Sequence, residues 1–168
     1  MEHAADIAND SDADPVIVVL GAHAAELEPL IDQKKLHIAV NADWQQGLSS
    51  SIRCGLQTLK RVALLSDAVI LTVCDQPYIT REHLNALIAM QKETGHPVVA
   101  SEYGNTLGTP VLFYKSVFAE LLELKGDKGA KNIIEKYADQ RSALRFDKGN
   151  IDIDTESDYR ALQQGPSA

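Results

Sequence analysis

Cysteine is scarce: Cys54 and Cys74 are the only two in 168 residues, with no CxxC spacing and no histidine cluster beside either. Such a pair argues against a disulfide framework or a thiolate zinc site and points to a reducing, cytoplasmic setting. Positive charge is short as well. Lys and Arg number 16 against 24 Asp and Glu, a formal net charge of -8, which argues against nucleic acid or an anionic membrane as the main partner. A small phosphorylated substrate stays open, because one bound metal ion reverses the field at a single site. No apolar run approaches the roughly 20 residues that span a bilayer, and the opening MEHAADIANDSDADP has neither the basic nor the apolar region of a secretory signal. Also missing are GxGxxG, the P-loop pattern GxxxxGK followed by Ser or Thr, GxSxG and any His pair at metal spacing.

What is present is an ordinary globular composition, 45% hydrophobic and 24% charged. A chain of this length buries roughly two thirds of its unfolded surface as one domain, expected over residues 1–162, with 163–168 a frayed tail. Strand-like segments at 15–21, 36–41, 68–75, 96–103, 110–114 and 142–146 alternate with helix-like ones at 24–35, 51–65, 81–94, 116–125 and 129–138. That alternation predicts an α/β fold: a parallel or mostly parallel sheet with helices on both faces. Leu84, Leu87, Ile88 and Gln91 follow an i, i+3, i+4, i+7 path, and Leu56, Leu59, Val62 and Ala63 give the helix before it a core face.

The stretch AVILTVCDQP, 68–77, runs a fully apolar strand into an acid, an amide and a proline. Pro77 stops the ladder, which places Asp75 at the carboxyl end of a core strand, where open α/β sheets bind ligands. Asp75 is therefore either a metal ligand or a cap for the helix that starts near Thr80. A second acidic run, IDIDTESDY at 151–159, puts Asp152 and Asp154 on one side of an extended segment with Ile151 and Ile153 facing the core, ahead of a helix start at Thr155 and Asp158. Carboxylates from two distant segments can hold Mg²⁺, which shares its octahedron with substrate phosphates. Solvated partners of the helix cap are the other reading.

Three further segments bear on ligands. In GLSSSIRCGL, 47–56, Gly47 allows a close turn and Ser49, Ser50 and Ser51 open a helix whose free N–H groups can read a base or an anion. In GDKGA, 126–130, Asp127 is placed to cap a helix, and Lys128 either meets a phosphate or, as a plain helix start favours, stands in solvent. YGNTLGTPVLF, 103–113, reads as a loop that admits a flat ligand against Gly104, Thr106 and Gly108.

Taken with VIVVLGAHA (16–24), NADWQQGLSSSIRCGL (41–56), CDQPYIT (74–80), GDKGAKNII (126–134) and DIDTESDY (152–159), these segments resemble the MobA-like nucleotidyltransferases, and within them the molybdenum cofactor cytidylyltransferases. The resemblance covers nearly the whole chain. It implies a Rossmann-like sheet of the nucleotide-diphospho-sugar transferase type and transfer of CMP from CTP to the terminal phosphate of molybdopterin, with release of pyrophosphate. Asp75 and Asp152 would be the catalytic acids, and Asp75, Asp152 and Asp154 the Mg²⁺ ligands. Gly47, Ser50 and Ser51 would contact the nucleotide, and Gln76, Thr106, Gly108 and Lys128 the pterin substrate. CTP, the molybdenum cofactor and a molybdoenzyme or its chaperone are the implied partners, with no nucleic acid or membrane.

One departure stands out. The family pattern LAAGxSxRMGxxK, a first strand running into a triphosphate-binding loop, has no counterpart in this sequence. In the family that strand lies between those corresponding to 15–21 and 68–75, so its absence predicts two apolar strands with unpaired inner edges. It also predicts a fragment whose activity is very weak or absent. Guanylyl or sugar-phosphate transfer on the same fold, and a non-catalytic binding module, are the competing expectations.

Overall fold

The computed structural model describes residues 2–31, 36–127, 129–153, 155 and 160. The chain opens with α1 (Glu2–Asn9), then β1 (Val16–Leu20), α2 (Ala24–Leu27), β2 (Leu36–Val40) and α3 (Leu48–Val62). It continues through β3 (Ala68–Leu71), α4 (Arg81–Thr94), β4 (Val98–Tyr103), β5 (Thr106–Tyr114), α5 (Phe118–Leu122), α6 (Lys131–Lys136) and β6 (Arg141–Arg145). The α/β alternation is the one the sequence implies, with local differences that have local causes. The helix expected over 24–35 stops at Leu27 and tightens into one 3₁₀ turn, because Pro29 has no N–H to give and its ring crowds the turn before it.

The sheet is in two pieces. β1 and β2 pair in parallel, Val16 opposite Leu36 through Leu20 opposite Val40. The second piece has the order β3-β5-β4-β6; β5 runs against both of its neighbours while β4 and β6 are parallel. β3, β4 and β6 therefore share one direction and only β5 is reversed.

That reversal comes from a tight hairpin which the sequence reading took for a ligand-admitting loop. Tyr103 pairs with Thr106, and Gly104 and Asn105 between them have φ of 54° and 63°, the two left-handed residues that a type I′ turn demands. β5 is consequently nine residues long, not five. Its register slips where Ala100 faces Val111 but Ser101 faces Gly108, leaving Thr109 and Pro110 as the bulge.

Side-chain alternation builds a core on each face. Val98, Ala100, Val111 and Phe113 point to one side and pack with Ile52, Leu56 and Leu59 of α3, Leu121 of α5 and Ile133 and Ile134 of α6. Val99 and Leu112 point to the other, against Leu84 and Leu87 of α4. The two sheet pieces lie between the same helices. Ile17 of β1 and Val69 and Leu71 of β3 meet the α3 layer, while Ala5 of α1 packs with Val16 and Val18 and Ile7 and Ala8 of α1 join the cluster of Ala68 and Ile70. β1 and β3 are nevertheless unpaired to one another, so each ends its sheet with an open inner edge among the described residues.

Candidate functional site

β3 ends at Leu71, so Asp75 does not terminate a strand; it sits in the loop beyond. All of β3 is only half-buried and lies at the sheet edge, and the expectation of a core strand here is corrected accordingly. The helix-cap reading of Asp75 also falls, since the cap of α4 is the Thr80 hydroxyl, which accepts from His83 N at 3.2 Å. What Asp75 does show is an orphan: Oδ1 is buried and takes no hydrogen bond. A buried carboxylate oxygen left without a donor is costly, and a cation is the partner that removes the cost.

The second acidic segment comes to the same place. Ile153 N donates to Asp75 O at 2.8 Å, which lays the Asp152–Ile153 peptide against the Asp75 loop. Ile151 is 42% exposed while Ile153 is partly buried, so the expected inward turn holds for neither in full, and backbone bonds, Ile151 N to Lys148 O and Ile153 N to Asp75 O, run along this stretch. Asp154 and Lys128 lie outside the described residues, as does the Asp158 expected to open the last helix. Among the described residues no three His, Cys, Asp or Glu side chains gather as a metal cage. Asp75 and Asp152 are the acids here that could hold a hard divalent ion, whose sphere water and substrate phosphate would complete.

Gln76, expected on the substrate side, is only 5% exposed, and both ends of its amide have partners within the chain. Nε2 donates to Gly149 O at 2.7 Å and Oε1 accepts from Thr109 Oγ1 at 3.3 Å. Lys148, next in the chain, holds Nζ 4.4 Å from the centre of the Tyr78 ring and sets a positive charge beside the acidic loop. Thr106 and Gly108 are strand residues of the hairpin, not loop residues. Gly108 has its own reason: a Cβ there would lie 2.2 Å from Tyr103 Oη.

A second polar group forms at the start of α3. Gly47 turns the chain with φ of 88° and passes so close to Asp127 that a Cβ would stand 1.9 Å from its Oδ1. Ser49 N donates to Gly126 O at 3.2 Å. The 47–51 and 126–127 segments, far apart in sequence, therefore form one surface, and Asp127 lies there rather than capping α6, whose first turn has no side-chain cap. Asn41 escaped the sequence reading although it closes the strand before this loop. It is 5% exposed and its Nδ2 donates to Ser50 Oγ at 2.8 Å and Ser51 Oγ at 3.1 Å. Ser50 passes its own proton to Gly47 O. Ser49 Oγ, fully buried, has no partner.

The α/β domain thus carries an orphaned carboxylate in one loop and a serine-rich helix start in another. The chain belongs to the MobA-like NTP transferase domain family, whose pattern it matches over residues 1–141. It is 28% identical over 138 residues to the purine catabolism protein PucB of Bacillus subtilis, an alignment covering 80% of this chain and 65% of PucB. Among solved structures, the Rv0371c homologue from Mycobacterium sp. strain JC1 superposes with a TM-score of 0.78 at 31% identity, over 97% of this chain and 80% of that one. Rv0371c of Mycobacterium tuberculosis, solved in complex with manganese, gives 0.78 at 26% identity, covering 97% and 84%. The fold is thus the Rossmann-like α/β fold of nucleotidyltransferases. No helix among the described residues is long and apolar enough to cross a membrane.

Proposed function

We propose that this chain, as one domain over residues 1–162, is a cytidylyltransferase that handles CTP, Mg²⁺ and the molybdenum cofactor, with turnover very weak or absent because its sequence holds no LAAGxSxRMGxxK-like triphosphate loop. The observation that carries the reading is the buried, unpartnered Oδ1 of Asp75 next to the backbone bond that draws Asp152 to it. In the reaction an oxygen of the pterin's terminal phosphate attacks the α-phosphorus of CTP; the new P–O bond forms as the bond to the β-phosphate oxygen breaks, and pyrophosphate leaves with those electrons. Mg²⁺ held by Asp75 and Asp152, with Asp154 beside them in sequence, would supply charge neutralisation at the phosphates. The residues of the chain orient. Gly47, Ser50 and Ser51 would form the nucleotide side through the turn, the helix N–H groups and the Ser51 hydroxyl; the Ser50 hydroxyl is engaged by Asn41 and Gly47 O and would shape the turn from within. Thr106, Gly108 and Lys128 belong to the pterin side. The two free thiols suit a cytoplasmic setting, and a molybdoenzyme or its chaperone is the partner that would receive the product.

Calorimetric titration tests this. CTP is expected to bind only with Mg²⁺ or Mn²⁺ present, GTP more weakly, and Asp75→Asn is expected to lose at least about tenfold in metal affinity, the scale of one buried charge-assisted contact. CTP binding that ignores both the metal and Asp75→Asn sinks the reading, and preference for GTP moves it to guanylyl transfer.

A further inference from the structure

We infer that Gln76 is a positioning residue for the acidic site: its side-chain amide fixes one end of the 149–153 segment and so sets where Asp152 stands relative to Asp75. The inference rests on the proposed role of those two acids. Its geometry is independent of them.

The segment is pinned at both ends by neighbouring residues of one loop. At its far end Ile153 N donates to the backbone oxygen of Asp75 at 2.8 Å; at its near end Gly149 O accepts from Gln76 Nε2 at 2.7 Å. Between these points Ile151 N donates to Lys148 O at 3.3 Å, and the side chains of Ile151 and Asp152 are exposed. Gly149 itself is closely seated. Its N donates to Phe146 O at 2.9 Å, and a Cβ would lie 2.4 Å from both the Tyr103 and Phe146 rings, so the backbone lies flat against both rings and leaves its carbonyl to Gln76.

The amide is also the group the geometry asks for. Gln76 donates on one side and accepts from Thr109 Oγ1 on the other at 3.3 Å, tying the bulge of β5 to the same loop. A carboxylate offers only acceptors and would oppose the Gly149 carbonyl; an apolar chain of equal length would leave both a carbonyl and a hydroxyl unpaired in a nearly closed space. Asp75 and Gln76 are adjacent, so one loop supplies the ion-facing oxygen and the bracket that brings its companion carboxylate.

The test uses Mn²⁺ as probe, followed by electron paramagnetic resonance, with amide hydrogen exchange read at Gly149 and Ile153. Wild type is compared with Gln76→Met, Gln76→Glu, Thr109→Val and Asp75→Asn. Both Gln76 variants are expected to weaken Mn²⁺ about tenfold, as losing a partner that orients a metal ligand does, and to speed exchange at Ile153 while unfolding stays cooperative. Gln76→Met, which buries no charge, together with the cooperative melt guards against a mere loss of fold. Thr109→Val keeps the Gly149 bond and should change affinity far less. If wild type binds Mn²⁺, Asp75→Asn does not, and the Gln76 variants match wild type in affinity and protection, this inference alone is overturned. If wild type does not bind Mn²⁺, or Asp75→Asn binds it equally well, the proposed function falls and the inference with it.

Discussion

At the scale of single residues, His83 shows how much is invisible in composition. In the sequence it is one of five scattered histidines; in the fold it lies against the Phe146 ring at 4.5 Å, with Nε2 2.8 Å from Ser101 Oγ. Ser101 gives its proton to Pro110 O at 2.6 Å, so His83 must donate from Nε2, and the neutral ring carries its proton there. Burial pushes the imidazole below its ordinary value of 6.5. The unfolded chain then binds more protons than the folded one between the two values, so the His83 contribution is intact above about pH 6.5 and is lost as pH falls through that range. Urea unfolding at pH 7.5 and 5.5 measures it. Wild type should lose more stability on acidification than His83→Gln, which keeps a donor for Ser101 without titrating; equal losses would remove His83 as the cause. Asp75, by contrast, draws notice in the sequence, because an acid after a β-branched run is conspicuous, though its place in a loop beyond β3 does not show there. Nor does the inward turn of Gln76, decided by contacts with residues more than 30 positions away.

At the scale of elements, spacing identified the long helices: α3 and α4 bury Leu56, Leu59, Leu84 and Leu87 as the i, i+3 pattern requires. It served less well where one residue overrides periodicity. Pro29 cut α2 short, Gly104 and Asn105 turned an apparent loop into a hairpin, and Val62, at a core-spaced position, is 42% exposed because α3 ends there. The start of α3 is the element on which the nucleotide reading depends, and Gly47 is its keystone for two separable reasons, its positive φ and its contact with Asp127. Gly47→Ala is expected to cost about 1–3 kcal/mol, since left-handed backbone and overlap both penalise a Cβ. Adding Asp127→Ala should return the overlap part and leave the backbone part. A double-mutant cycle of thermal melts separates them; additive costs would show that Asp127 does not crowd Gly47 in solution.

At the scale of the whole molecule, the divided sheet sets the behaviour. β1 and β3 lie between the same two helical layers, carry apolar side chains on both faces and expose a row of backbone donors and acceptors. Leu64 and Leu65, 71% and 90% exposed, lead directly into β3. Open strand edges of this kind pair with other chains, so wild type is expected to self-associate as its concentration rises. The register shows which groups do this. Lys115 N bonds Asp67 O at 2.7 Å and Ala68 faces Tyr114, so in an antiparallel ladder Val69 and Leu71 exchange hydrogen bonds with β5 while Ala68 and Ile70 turn theirs to the open edge. Ala68→Pro therefore removes an edge donor without breaking a β5 bond, at the first strand position, where proline is tolerated. Sedimentation velocity across a concentration series should show Ala68→Pro shifted towards monomer with its melting temperature nearly unchanged. If both proteins sediment as monomers at every concentration, the open edges are protected in solution; if both associate alike, the contact runs through another surface, and the exposed leucines before β3 become the next residues to substitute.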